Sequence, residues 1–103
     1  VKKVIYVAGK YRARTIFGRI WNILKARKKA IGLWKEGWVV ICPHMNTALF
    51  DGHCEDNVWL DGDLEIVKRC DAIYMSKGFR DSKGAMEELY TAISAGLEIY
   101  MGE

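Results

Sequence analysis

Cysteine and proline are both scarce in this 103-residue chain, and long apolar runs are missing altogether. Three cysteines, Cys42, Cys54 and Cys70, are an odd number with no C-x-x-C spacing, which argues against a disulfide framework and for a reducing compartment. Pro43 is the one proline, and no Pro-rich or Ser-rich linker or low-complexity tract divides the sequence. No apolar run approaches the roughly 20 residues that cross a bilayer, and no signal-peptide pattern opens the chain. The expectation is a cytoplasmic protein without a membrane partner. Acidic residues are nearly missing from the first third. Residues 1–36 carry eleven Lys or Arg against Glu36 alone, while the rest carry five bases against twelve acids.

What remains is ordinary globular material. Half of the residues are apolar and 28% are charged, enough for one domain over residues 1–103 with a stable core. The basic front admits three readings: a solvated helix face, an anionic small molecule or nucleic acid, or the acidic half of another subunit. Composition does not choose between them.

Four short apolar segments read as buried strands: Val4 to Ala8, Trp38 to Cys42, Asp71 to Met75 and Leu97 to Met101. Between them the spacing turns helical. Ile16, Ile20, Ile23, Leu24, Ile31 and Trp34 can share one broad face over residues 16–35, with Gly37 beyond the end as a C-terminal glycine and Gly32 weakening the last turns. A second helix is expected from about Val58 to Arg69, and a third from Lys83 to Ala95 between the N-cap Ser82 and Gly96. Residues 43–57 show no period and read as a long loop. Strand–helix alternation of this kind predicts an α/β fold with a parallel sheet of about four to five strands covered on both faces. In such sheets ligands bind beyond the carboxyl ends of the strands. That rule selects the loops 9–14, 43–57 and 76–82 and the first turns of the helices that follow them.

The chemistry carried by those loops is specific in places. Gly9-Lys10-Tyr11-Arg12-Ala13-Arg14 lacks the glycine patterns of dinucleotide-binding and P-loop proteins, yet offers cations to a phosphate. Ser82-Lys83-Gly84-Ala85 opens a helix with a hydroxyl, glycine and free amides, which makes either a plain N-cap or an anion site. Asp63 and Glu88 both fall near the carboxyl edge of the sheet, and two carboxylates at one cleft are what glycosidic cleavage uses. Cys42, His44, His53 and Cys54 do not match zinc-ligand spacing. No metal and no cofactor is expected, and His44 reads as a polar cleft residue.

In order along the chain, Ile5-Tyr6-Val7-Ala8-Gly9, Asn22-Ile23, Cys42-Pro43-His44, Asp63-Leu64-Glu65, Cys70-Asp71-Ala72 and Ser82-Lys83-Gly84-Ala85-Met86-Glu87-Glu88 form a set that resembles the nucleoside 2-deoxyribosyltransferase superfamily. That superfamily includes the deoxynucleoside-monophosphate N-glycosidases, and the resemblance covers nearly the whole chain. It implies a Rossmann-like or flavodoxin-like three-layer sandwich and cleavage of the bond between a base and C1′ of 2-deoxyribose. Glu88 matches the nucleophilic glutamate, Asp63 the aspartate that assists proton transfer, and Tyr6 the first-strand tyrosine that positions the nucleophile. Ser82 and Arg12 fall where phosphate-specific members hold a 5′-phosphate, with Gly9, Gly84 and His44 as further binding residues.

The resemblance also implies a homo-oligomer, a dimer or larger. The first loop departs from many relatives, with Lys10 where they have proline or serine. The transferases continue past the fourth strand into a C-terminal segment that completes a neighbour's site. With the sequence ending at Glu103, hydrolysis or binding is the expectation ahead of base transfer. The competing readings are a non-catalytic nucleotide-binding or sensing module on the same fold, and a nucleic-acid-binding protein using the basic first helix. Nucleic acid is the less expected partner.

Overall fold

The computed structural model describes residues 2–46 and 53–102. Four strands, β1 (Val4–Ala8), β2 (Val39–Ile41), β3 (Ala72–Met75) and β4 (Glu98–Met101), form one sheet in the order β2-β1-β3-β4. All three pairings are parallel, with Ile5 opposite both Val40 and Ala72, and Ala72 opposite Glu98. The helices are α1 (Ile16–Lys35), the short α2 (Pro43–Asn46), α3 (Asp56–Lys68) and α4 (Lys83–Ala95).

Strand parity sorts the core into two layers. Ile5 and Val7 point with Val40 and Ala72 toward Ala26, Ala30 and Leu33 of α1. Tyr6 and Ala8 point with Ile73 and Met75 toward Val67 of α3 and Ala85, Leu89 and Ala92 of α4. Successive side chains of a strand alternate faces, so a five-residue strand buried on both sides reads as a continuous apolar run. The chain leaves β1 for one flank of the sheet and returns past it to β3, with α1 on one face and α3 and α4 on the other. The reversal lies at the carboxyl ends of β1 and β3, the place where doubly wound sheets hold their ligands.

Gly9 marks that point. A Cβ on Gly9 would stand 2.8 Å from Ser76 Cβ, and the Ser76 amide already donates to the Ala8 carbonyl at 2.8 Å. Only glycine lets the two loops approach this closely.

The termini of the long helices follow ordinary capping chemistry. Thr15 Oγ1 accepts from the Gly18 amide and Ser82 Oγ from the Ala85 amide, both at 3.1 Å. Gly96 closes α4 at φ +79°. Helix α1 runs unbroken through Gly32, because Leu33 beside it is anchored in the core.

Three expectations need correction. Of the six residues expected on the buried face of α1, Ile23 alone is buried, while Ile16, Ile20, Leu24, Ile31 and Trp34 are exposed to solvent. The stripe that packs on the sheet is Ile23, Ala26, Ala30 and Leu33. Small alanines let the helix lie close to the strands, and the bulky residues fall on its other side. The presumed loop 43–57 opens with α2, where Pro43 begins a helical turn, and α3 starts at Asp56. A 3₁₀ turn, Phe79–Asp81, interrupts the loop before α4 and buries Phe79. Residues 47–52 of the expected loop lie outside the described residues. Among the described residues no helix is long and apolar enough to cross a membrane.

Candidate active site

Tyr6 is the middle residue of β1 and faces α4. On α4, Ala85, Glu88, Leu89 and Ala92 form the buried stripe, so a carboxylate occupies a position that the helical repeat assigns to the core. Glu88 is 6% exposed and Tyr6 is fully buried. The Tyr6 hydroxyl donates to Glu88 Oε2 in a short hydrogen bond. Burial pushes the Glu88 carboxyl up to about 8, against the Tyr6 hydrogen bond that lowers it, and the charge of Asp63 adds to the rise. Tyr6 itself is raised well above the phenol range, first by burial and then by Glu88 and Asp63.

Asp63 comes from α3, which packs along α4. Half-buried, its carboxyl is pushed by desolvation to about 6. Two carboxylates with raised and different proton affinities therefore sit within each other's field. Such separation is how one site runs nucleophilic and acid–base roles together.

Both carboxylates line a cavity of about 490 Å³ at the carboxyl edge of the sheet, together with Gly9, Arg12, His44, Ser82 and Gly84. Tyr6 lies behind Glu88. All eight residues singled out from the sequence are thus gathered at one place. Ser82 does act as an N-cap, but that bond uses its oxygen as acceptor, so the hydroxyl retains a proton to donate. Arg12 belongs to a loop that Asn22 of α1 holds, its Nδ2 donating to the carbonyls of Tyr11 at 3.1 Å and Arg12 at 3.5 Å.

His44 is buried and its imidazole is held neutral by burial, against a contact with the Lys10 carbonyl that favours the charged form. That contact, 3.0 Å from Nε2, places the ring proton on Nε2 and leaves Nδ1 as an acceptor without a partner. A neutral acceptor suits a hydroxyl or amine of a ligand and gives no positive charge to a phosphate.

Tyr11, Trp59, Lys83 and Glu87 also line the cavity, and the sequence reading named none of them individually as a site residue. Tyr11 stacks edge-on against His44 at 5.6 Å. The signal for Tyr11, Trp59 and Lys83 was position, in a loop or first helical turn after a strand's carboxyl end, whereas Glu87 lies one turn into α4. Glu87 neighbours Glu88 in sequence but stays more exposed. Among the described residues no three His, Cys, Asp or Glu side chains come together as metal ligands, and all three cysteines are free.

Comparison with known proteins adds to this geometry. A family model described as Domain of unknown function (DUF4406) matches residues 3–101. Among solved structures, the 2-deoxyribosyltransferase of the psychrotolerant bacterium Bacillus psychrosaccharolyticus, a biocatalyst for nucleoside synthesis, has the same fold. Its TM-score is 0.67 at 20% identity, over 95% of this chain and 70% of that one. No curated protein matches the sequence.

Proposed function

The chain belongs to the DUF4406 family, a family of the nucleoside 2-deoxyribosyltransferase superfamily, and from that premise we propose that it cleaves the base–C1′ bond of a 2′-deoxynucleoside or its 5′-monophosphate. The observation that carries this reading is the buried Tyr6–Glu88 pair opening, beside Asp63, onto one cavity.

In the first step a Glu88 oxygen attacks C1′ through an oxocarbenium-like transition state. The C1′–N bond breaks with its electron pair going to the base, and the Asp63 proton passes to the departing base. The sugar is left as an ester of Glu88. In the second step Asp63 takes a proton from water, the hydroxide adds to C1′, and Glu88 leaves as a carboxylate. Tyr6 holds the Glu88 rotamer and stabilises its charged form. Arg12, the Ser82 hydroxyl and the amides that open α4 receive a 5′-phosphate, with Gly84 leaving room for close approach. If a second base replaces water, the same steps give base transfer.

A second reading draws on the protonation of Glu88. With its carboxyl pushed up to about 8, Glu88 is mainly neutral at pH 7 and can donate a hydrogen bond, which suits a module that binds nucleotide without turnover. Chromatography of free base decides between them. The protein is incubated with each deoxynucleoside and each 5′-monophosphate, beside Glu88→Gln. Release that disappears in the variant supports the enzyme, and preference for monophosphates that is lost in Arg12→Ala supports the phosphate role. Nucleotide binding with no base release from any substrate refutes the hydrolase, and no base exchange when a second free base is added refutes the transferase and supports the module.

A further inference from the structure

The outward side of α1 has a spacing that its own core does not use. Phe17, Ile20, Leu24, Arg27, Ile31 and Trp34 follow one another at intervals of 3, 4, 3, 4 and 3 residues. This is the a/d seam of a coiled coil, here with one cation at a d position. All six are exposed, Phe17 by 79% and Trp34 by 53%, and Trp21 beside the seam is 61% exposed. The helix is meanwhile fixed to the sheet through Ile23, Ala26, Ala30 and Leu33, so the seam is rigid and preformed. A partner that meets it loses little ordering entropy in α1.

We propose that this seam is the interface with a second copy of the chain, the two α1 helices packing antiparallel about a two-fold axis. Three observations select that occupant and that direction. First, an antiparallel pair sets a positions opposite d positions. The sequence then places Phe17 against Trp34 of the second copy, Ile20 against Ile31 and Leu24 against the aliphatic stem of Arg27. The pattern is complementary to its own reversal, as a two-fold interface requires. Second, a parallel pair would bring Arg27 against Arg27. Helix α1 carries six Lys or Arg and no acid, so no side chain of the facing helix offsets that one contact. The antiparallel one moves each Arg27 off its counterpart.

Third, the area is right. The exposed apolar side chains of α1 amount to about 700 Å², close to the roughly 800 Å² that each partner gives to a stable interface. This surface exceeds the apolar patch of a typical monomer.

The pairing has a consequence for the cavity. Asn22, which holds the Tyr11–Arg12 loop, projects from α1 between Phe17 and Leu24 in sequence. Bracing α1 therefore braces the loop that brings Arg12 to the site. The interface itself stands independently of the glycosidic chemistry.

Sedimentation velocity of the full chain at micromolar concentration reads the state directly. The wild type sediments as a dimer. Phe17→Glu and Ile31→Glu, both at exposed positions, weaken self-association by roughly tenfold or more with unchanged circular dichroism. The direction is read in a Cys54→Ser background by oxidising Ile20→Cys, Ile31→Cys and their mixture. Crosslinking in the mixture and not in either variant alone is expected. A monomeric wild type, a dimer that survives both glutamates, or crosslinking of Ile20→Cys with itself would overturn the proposal. So would a monomer that co-sediments with phosphatidylserine vesicles through this face.

Discussion

Replacing Glu88 by Gln tests whether the fold bears a stability cost in order to bury a nucleophile. The Glu88 carboxyl lies at about 8 in the folded protein against an ordinary 4.5, so the folded state holds its proton more tightly than the unfolded chain does. The sign follows from proton linkage: stability is greatest below pH 4.5 and is lost as pH rises through 8. Each unit between those values costs about 1.4 kcal/mol. Between pH 5.5 and pH 8 the wild type therefore loses about 3 kcal/mol through this one group. Gln keeps a carbonyl oxygen to accept from the Tyr6 hydroxyl and has no proton to lose. The variant is expected to gain on the wild type by about 3 kcal/mol across that interval, while losing base release. Urea unfolding followed by Trp fluorescence at pH 5.5, 7 and 8 measures the difference. Parallel pH dependence in the two proteins would refute the claim that Glu88 is buried with a raised proton affinity.

The remaining predictions concern the same site and its frame. Turnover needs Glu88 charged and Asp63 protonated, the reverse of their relative affinities, so the rate should follow a bell with apparent limbs near 6 and 8 that belong to the pair. A profile flat from pH 5 to 9 contradicts the assignment. Tyr6→Phe removes the bond that favours the Glu88 carboxylate; the upper limb should move up by about 1 unit and the maximal rate should fall, since a hydrogen bond to a charged group contributes about 1.5–3 kcal/mol. An unmoved limb would show that the bond does not tune Glu88. Gly9→Ala forces its methyl group against Ser76 and should destabilise the fold by about 1–3 kcal/mol, read as a lower melting temperature. No loss would mean the two loops can part freely.

The architecture was legible because a doubly buried strand and an alternating helix leave strong periodic signals. Those signals alone point to the carboxyl edge of the sheet, where the cavity lies. Helix α1 shows where pattern reading fails. Its bulky apolar residues suggested the core face, yet the core takes Ala26 and Ala30, whose small size permits close packing but gives a weak hydropathy signal. Helix α2 and the 3₁₀ turn at Phe79–Asp81 are too short for any period to register. Glu88 was visible as an acid in a helix after a loop. Its burial was not visible, because that depends on Tyr6 lying across the layer from it, 82 residues away in sequence. The order of the two carboxyl affinities depends on burial in the same way. Tyr11 and Trp59 were hidden among ordinary aromatic residues, since a place in a loop or at a helix start does not say which ring turns inward.

The central claim is that Glu88 itself bonds to C1′, and mass spectrometry of the trapped ester tests it most directly. A 2′-deoxynucleoside analogue with fluorine at C2′ destabilises the oxocarbenium character of both steps, so a glutamyl ester formed in the first step persists long enough to be digested and mapped. The account predicts one fluorosugar per chain, on Glu88, with free base released in equal amount and neither product in Glu88→Gln. Label on Glu87, or turnover of natural substrate by Glu88→Gln, would contradict it.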